Sequence, residues 1–185
     1  MSHTLRLSLI GAVMTGFLAL MLGQNLIHRS QGTEVLVPVE GYDPRDILLG
    51  HYANIRTPLH RLESGTLDAG AGFDRGDRIF VLLDTGPTGH VTAGGIQAER
   101  PEGGLYMEGR VRSDHVVPGD VYRVDYNIER YFASQERALA LQDRLRERNA
   151  DGETGVSLIL ALNRNGAAQI KGFVVDGERR VDRVW

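Results

Sequence analysis

Hydrophobic positions form one long block followed by many short ones, and this contrast divides the chain. Residues 7–27 are a 21-residue run without a formal charge, the length that crosses a hydrocarbon core of about 30 Å at about 1.5 Å per helical residue. Beyond it, apolar residues come in short clusters bounded by Gly, Pro, Asn and Asp, the pattern of strands. Residues 34–39 are β-branched and interrupted by Pro38, which predicts an edge strand or a strand end. Residues 51–56, 79–83, 106–111, 121–126, 156–162 and 169–175 read as further strands. The segments 106–111 and 121–126 alternate roughly, as half-buried antiparallel strands do, with Pro118-Gly119-Asp120 turning between them. Asn163-Arg164-Asn165-Gly166 carries the Asn-Gly hairpin signal between the last two. Residues 85–104, rich in Gly and Pro, read as a long exposed loop.

Two helices are expected in this second part. Asp43-Pro44-Arg45-Asp46-Ile47-Leu48-Leu49-Gly50 specifies a short one: Asp43 caps the first turn, Pro44 has no amide to leave unsatisfied, Asp46 favours the positive end, and Gly50 allows the left-handed stop. A longer helix is expected over 135–148, capped by Ser134, with Ala138, Leu141 and Leu145 on one face. The fold class is therefore mainly β (α+β). A transmembrane helix precedes an antiparallel β-barrel or sandwich-like domain with one short capped helix and one longer helix. The pattern does not choose between barrel and sandwich. Residues 1–6 form the N-terminal side, 7–27 the span, 28–33 a polar spacer and 34–185 the folded domain.

A cleaved signal peptide competes with a retained anchor, since Arg6 and the amino terminus precede the apolar run. Leu22-Gly23-Gln24-Asn25-Leu26 offers no convincing small-x-small cleavage site, which favours the anchor. Arg6 and the amino terminus lie on one side and Arg29 on the other, followed soon by acidic Glu34 and Glu40, a balance that favours the N-terminus in the cytoplasm and the domain outside. Gly11, Thr15, Ala19 and Gly23 recur every fourth residue, beside a row of Ser8, Ala12 and Gly16; small residues at this spacing let a second helix approach closely.

Charge and composition narrow the classes. The net charge is −3, and Lys171 is the only lysine among 21 basic residues, so no cationic nucleic-acid surface is indicated and no nucleic-acid partner is expected. The absence of cysteine excludes disulfides, thiolate metal sites and a cysteine nucleophile.

Aligned on its name motif, the chain resembles the GDYXXLXY family. Gly50, His51, Tyr52, Ile55 and Thr57 stand at the motif positions, with His51 in place of Asp, Ile55 in place of Leu and Thr57 in place of the last Tyr. Asp43-Pro44-Arg45-Asp46 resembles the family's lead-in, and Tyr126-Asn127-Ile128-Glu129-Arg130-Tyr131-Phe132 is similar to a second family block. The resemblance implies a bacterial, membrane-anchored protein with a periplasmic or otherwise extracytoplasmic domain on the inner membrane, working beside a multi-spanning membrane protein. It carries over no catalytic residue, and any role for a carboxylate at position 51 is absent here.

Several constellations carry possible chemistry. Asp43, Arg45, Asp46, Gly50, His51, Tyr52, Glu129, Arg130 and Tyr131 form a hypothetical binding surface, and Glu129 and Arg130 are natural charge partners for Arg45 and Asp46. Partly buried pairs of this kind fix geometry more than they add stability. Asp84-Thr85-Gly86 follows an apolar strand as the catalytic loop of an aspartic protease does, and with one such motif it requires a symmetric dimer to bring two carboxylates together. Ser157 and Lys171 are candidates for a Ser-Lys hydrolase. Tyr52, Tyr126, Tyr131 and Phe132 offer a lining for a small ligand or simply core. His28, His51, His60, His90 and His115 show no short metal-ligand spacing, and the 85–104 segment lacks the lysine and helix of a phosphate loop. No metal and no cofactor are expected. The leading expectation is a non-enzymatic accessory or assembly subunit; envelope hydrolase and small-ligand-binding β domain are the alternatives.

Overall fold

The apolar run folds as one uninterrupted helix, α1 (His3–Gln31), in the computed structural model, which describes residues 3–40, 52–65, 67–68, 72–114, 119–132 and 155–181. Leu, Met and Ala dominate and no proline interrupts, so each backbone bond closes within the helix. Among the described residues it is the one helix long and apolar enough to cross a membrane, and the most apolar window is 0% buried. The expected polar spacer does not appear as a separate segment. Residues 28–31 complete the helix, and only Gly32 separates it from β1 (Thr33–Pro38).

The strands that follow are β2 (Tyr52–Asn54), β3 (Arg61–Glu63), β4 (Arg78–Thr85), β5 (Val91–Gln97), β6 (Tyr106–Val111), β7 (Val121–Asp125), β8 (Arg130–Phe132), β9 (Val156–Leu162), β10 (Ala168–Val175) and β11 (Glu178–Val181). All the strand pairings are antiparallel, in the orders β1-β9-β10-β11, β3-β7-β6-β4-β5 and β2-β8. A parallel bridge between Leu36 of β1 and His90, just before β5, joins the first two sheets into one nearly closed, barrel-like sheet. The turn between β9 and β10 strengthens closure, because the Glu108 amide of β6 donates to the Gly166 carbonyl at 2.8 Å. Gly166 has φ 81°, and an added Cβ would stand 2.7 Å from the Tyr106 ring, so the turn needs glycine for both its backbone and its packing.

Alternation decides what fills the barrel. Val35 and Val37 of β1, Ile79, Val81 and Leu83 of β4, and Val156, Leu158, Leu160 and Leu162 of β9 all belong to one core cluster with Tyr122, Val124 and Tyr126. Ile159 and Ala161 are also buried but lie outside that cluster, on the opposite face of β9. The hairpin signal at 163–166 is met: the Asn163 side chain accepts from the amides of Asn165 and Ala167 at 2.9 Å each, tying the turn to itself.

The 85–104 segment differs from its expected form as a loop. Residues 91–97 are β5, paired with β4, and Gly94 is the extra residue of a bulge opposite Leu82 and Leu83. The Asp84 carboxylate occupies the space where a Cβ on Gly94 would sit, so a glycine that reads as a loop residue is a close-approach residue within a strand. The short strands β3, β8 and β11 also lacked a sequence signal. The helices expected over 43–49 and 135–148 lie outside the described residues.

The last turns of α1 are fixed to the barrel. Gln169 donates to the Asn25 side chain at 2.7 Å, and the Arg29 guanidinium donates to the Lys171 carbonyl at 3.1 Å. The strand β1 then carries the chain away from α1, and Glu40 lies roughly 20 Å along from Thr33 at about 3.3 Å per strand residue. Glu40 pairs with Arg56, so the segment leading from β2 sits at the barrel end remote from the helix.

Candidate functional site at the end of the barrel remote from the helix

The two sequence blocks singled out around Tyr52 and Glu129 meet as an antiparallel ladder. Tyr52 faces Phe132, Ala53 faces Tyr131, and Asn54 faces Arg130, and the Ile55 amide continues the ladder to the Glu129 carbonyl at 2.8 Å. Ile55, at the motif position of Leu, is 1% exposed and belongs to the core. Asn127 turns the second block with φ 62°, a left-handed conformation that asparagine tolerates. That turn buries Tyr126 and Ile128 on either side of it.

A polar cluster lies directly beneath the ladder. Thr57 starts a single 3-10 turn (Pro58–His60) with Pro at its first position. The Thr57 amide donates to His60 Nδ1 at 3.1 Å, and Thr57 Oγ1 is 2.9 Å from the same nitrogen. Because a backbone N–H only donates, Nδ1 is the accepting nitrogen and the ring proton lies on Nε2. Buried Nε2 makes no hydrogen bond to any described residue, and the nearest acid is Glu129, with Oε1 at 3.5 Å. The same Oε1 accepts from the Tyr126 amide at 2.5 Å. Burial raises the Glu129 carboxyl, but the His60 ring and the Tyr126 amide outweigh it and hold the group below its ordinary value.

Tyr126 completes the cluster. Its hydroxyl donates to the Leu59 carbonyl at 2.7 Å, and its ring stands edge-on to His60 with centroids 5.4 Å apart. Burial first, and the Glu129 charge second, push its hydroxyl well above the ordinary range. Tyr126 is therefore core with a satisfied hydroxyl and lines no ligand space. Thr57 is 0% exposed, which denies it contact with any substrate. This arrangement fixes the meeting of two chain segments.

Among the described residues the side chain that faces Glu129, at 3.5 Å, is His60, which the sequence reading passed over as one of several scattered histidines; the expected charge partners Arg45 and Asp46 lie outside the described residues. A signal was present in Thr57-Pro58-Leu59-His60, where a cap residue, a proline at the first position and a side chain three residues on can reach back. Asp43, Arg45, Asp46, Gly50 and His51 lie outside the described residues. For Tyr52, Arg130 and Tyr131 the backbone register places all three on the ladder.

The hydrolase candidates separate on the structure. Lys171 pairs with Glu34 Oε1 at 2.5 Å, whereas Ser157 stands opposite Val174, about 10 Å along the strand from Lys171. Ser157 Oγ lies 2.8 Å from His90 Nε2 instead, and His90 Nδ1 lies 3.0 Å from Thr88 Oγ1. The contact spans β1, linking β9 to the β4–β5 hairpin across the seam of the barrel. Thr88 is a neutral partner and supplies no charge to stabilise an imidazolium. Asp84 is exposed, lies next to the bulge of the β4–β5 hairpin, and faces Thr92. Among the described residues no group of three or more His, Cys, Asp or Glu is placed to hold a metal ion.

A family model for the GDYXXLXY protein matches residues 14–173, from within α1 to β10. The chain belongs to the GDYXXLXY family. Residues 52–54 of the first motif block and 130–132 of the second are the two strands of the ladder. This GDYXXLXY protein keeps a polar residue, Thr57, where the name motif ends in Tyr, and fills the vicinity with His60. Neither the curated proteins nor the solved structures give a significant match.

In α1, no atom of the described residues beyond the helix's own neighbouring backbone lies within 4 Å of where a Cβ would stand on Gly11, Gly16 or Gly23. In the row of Gly11, Thr15, Ala19 and Gly23, the first three are exposed and Gly23 is half-buried.

Proposed function

We propose that this GDYXXLXY protein is a bacterial inner-membrane accessory subunit, with a single retained anchor and an extracytoplasmic barrel, that assembles with a multi-spanning membrane protein. The observation that carries the reading is the junction of α1 with the barrel. A cleavable leader has no reason to hydrogen-bond the mature domain, whereas Asn25 and Arg29 both engage β10. The family match also begins within the helix, at residue 14. Arg6 on the N-terminal side supports a cytoplasmic N-terminus.

Two surfaces serve this role. The small-residue row of α1 admits a partner helix within the bilayer. The motif ladder, with Tyr52, Arg130 and Tyr131 on it, lies roughly 20 Å farther out along β1, so the partner has a portion reaching that far beyond the bilayer. Photoreactive residues placed separately at Thr15 and Arg56 of the full chain test both contacts. Cross-links from both sites to one polytopic protein support the reading; cross-links at neither site in native membranes overturn it.

A further inference from the structure

The apolar span fixes the depth of everything attached to α1. Asn25 is two residues from the end of that span, and Arg29 is one turn beyond it, about 6 Å along the axis. Those are the residues that hold Gln169 and Lys171. With a headgroup layer of about 5–7 Å on each side of the core, the start of β10 lies at the level of the phosphates.

Strand register shows which other residues share that level. The first residue of β1, Thr33, faces the last residue of β9, Leu162, and Leu162 faces Ala168 of β10. The turn at 163–167 is therefore the bilayer-facing end of the barrel. It carries exposed Arg164, whose carbonyl accepts from the Tyr106 hydroxyl at 2.8 Å. Arg100 reaches the same turn, donating to the Asn165 side chain at 3.3 Å. Lys171 and Arg179 both engage Glu34, and this trio keeps one net positive charge. Arg29, Arg100, Arg164 and Lys171 thus share the end where the helix enters, with Glu34 beside Lys171 and exposed Glu99 and Glu102 flanking Arg100 in sequence, on the side where the topology bias disfavours basic residues.

We propose that the bilayer-facing end of the barrel, formed by Arg29, Arg100, Arg164 and Lys171, binds the phosphate groups of anionic phospholipids. Guanidinium forks match phosphate oxygens, and Tyr106 sits where interfacial aromatic rings are favoured. The contact seats the barrel on the leaflet and fixes the height of the motif ladder above it. This inference rests on α1 crossing the membrane, which incorporation into nanodiscs checks separately.

The chain has no cysteine, so a single introduced cysteine gives clean labelling. A nitroxide is placed at Ala167→Cys, with Arg56→Cys beside Glu40 at the remote end as reference, in full-length protein incorporated into nanodiscs of phosphatidylcholine with or without phosphatidylglycerol. The expected result is immobilisation and loss of water accessibility at 167 that deepens with phosphatidylglycerol, while 56 is unchanged. Native mass spectrometry should show retained phosphatidylglycerol falling about 5-fold for each cation removed in Arg100→Gln and Arg164→Gln. Both changes lie on exposed side chains, and unchanged melting confirms that the fold is kept. Equal accessibility at 167 and 56, or identical behaviour in the two lipid compositions, overturns the proposal.

Discussion

His60 Nε2 and Glu129 Oε1 face each other at 3.5 Å beneath the ladder that joins the two motif blocks. The nitrogen is buried and makes no hydrogen bond to a described residue, while the carboxylate is anchored by the Tyr126 amide. A carboxylate held this way contributes to stability only while ionised. Its value in the folded chain lies below the ordinary 4.5. Its share of stability is thus complete above that ordinary value and is lost as pH falls through the lower folded value. Glu129→Gln should cost about 1 kcal/mol at neutral pH and flatten the acid limb of the melting temperature against pH. An acid limb as steep as that of the unchanged chain contradicts this.

Thr57 fills a fully buried position that the family motif gives to a larger ring. Thr57→Tyr should overpack the site by about 1–3 kcal/mol. Combining it with His60→Ala should recover part of that loss, because the imidazole occupies the adjoining space. A double variant no more stable than Thr57→Tyr alone, measured by denaturant unfolding, shows that the two positions do not share volume.

At Gly109 in β6, an added Cβ would stand 2.5 Å from Val124 Cγ1 and 2.7 Å from Tyr126 Cε1. Gly109→Ala should therefore destabilise by about 1–3 kcal/mol. The loss should come with displacement of Tyr126, read as a weaker protection of the Tyr126 amide in hydrogen exchange. An unchanged midpoint sinks this account of how β6 makes room for the core tyrosine.

The Ser157–His90 contact is a latch across the barrel seam. His90→Ala should cost about 1 kcal/mol, and a fluorophosphonate probe should leave Ser157 unlabelled in the full chain. Labelling that disappears in Ser157→Ala and in His90→Ala would establish a nucleophile and move the account to hydrolase chemistry.

What the sequence disclosed follows from where its signals are local. The long apolar helix, β9, β10 and the turn at 163–166 were legible because composition, alternation and Asn-Gly chemistry each act over a few neighbours. The segment 85–104 was misread because Gly94 serves a bulge and the approach of Asp84, a contact invisible until β4 and β5 pair. In the candidate site, Glu129 and Tyr52 stood in the two blocks that the sequence set apart. Their pairing, and the role of Thr57 and His60, depend on a ladder between segments far apart in sequence. Near-closure into a barrel was equally hidden, since among the described residues it rests on the bridge between Leu36 and His90 and the bond from Glu108 to Gly166.

The central claim is assembly with a membrane partner through α1. Its most direct measurement is affinity purification of the full chain from native membranes in mild detergent, with mass spectrometry, beside a full-length variant carrying Gly11→Ile, Thr15→Ile and Ala19→Ile. The account predicts one polytopic protein recovered with the unchanged chain and lost with the variant, while both chains stay in the membrane fraction. Recovery of the chain alone in both cases, or of the same protein in both, contradicts it.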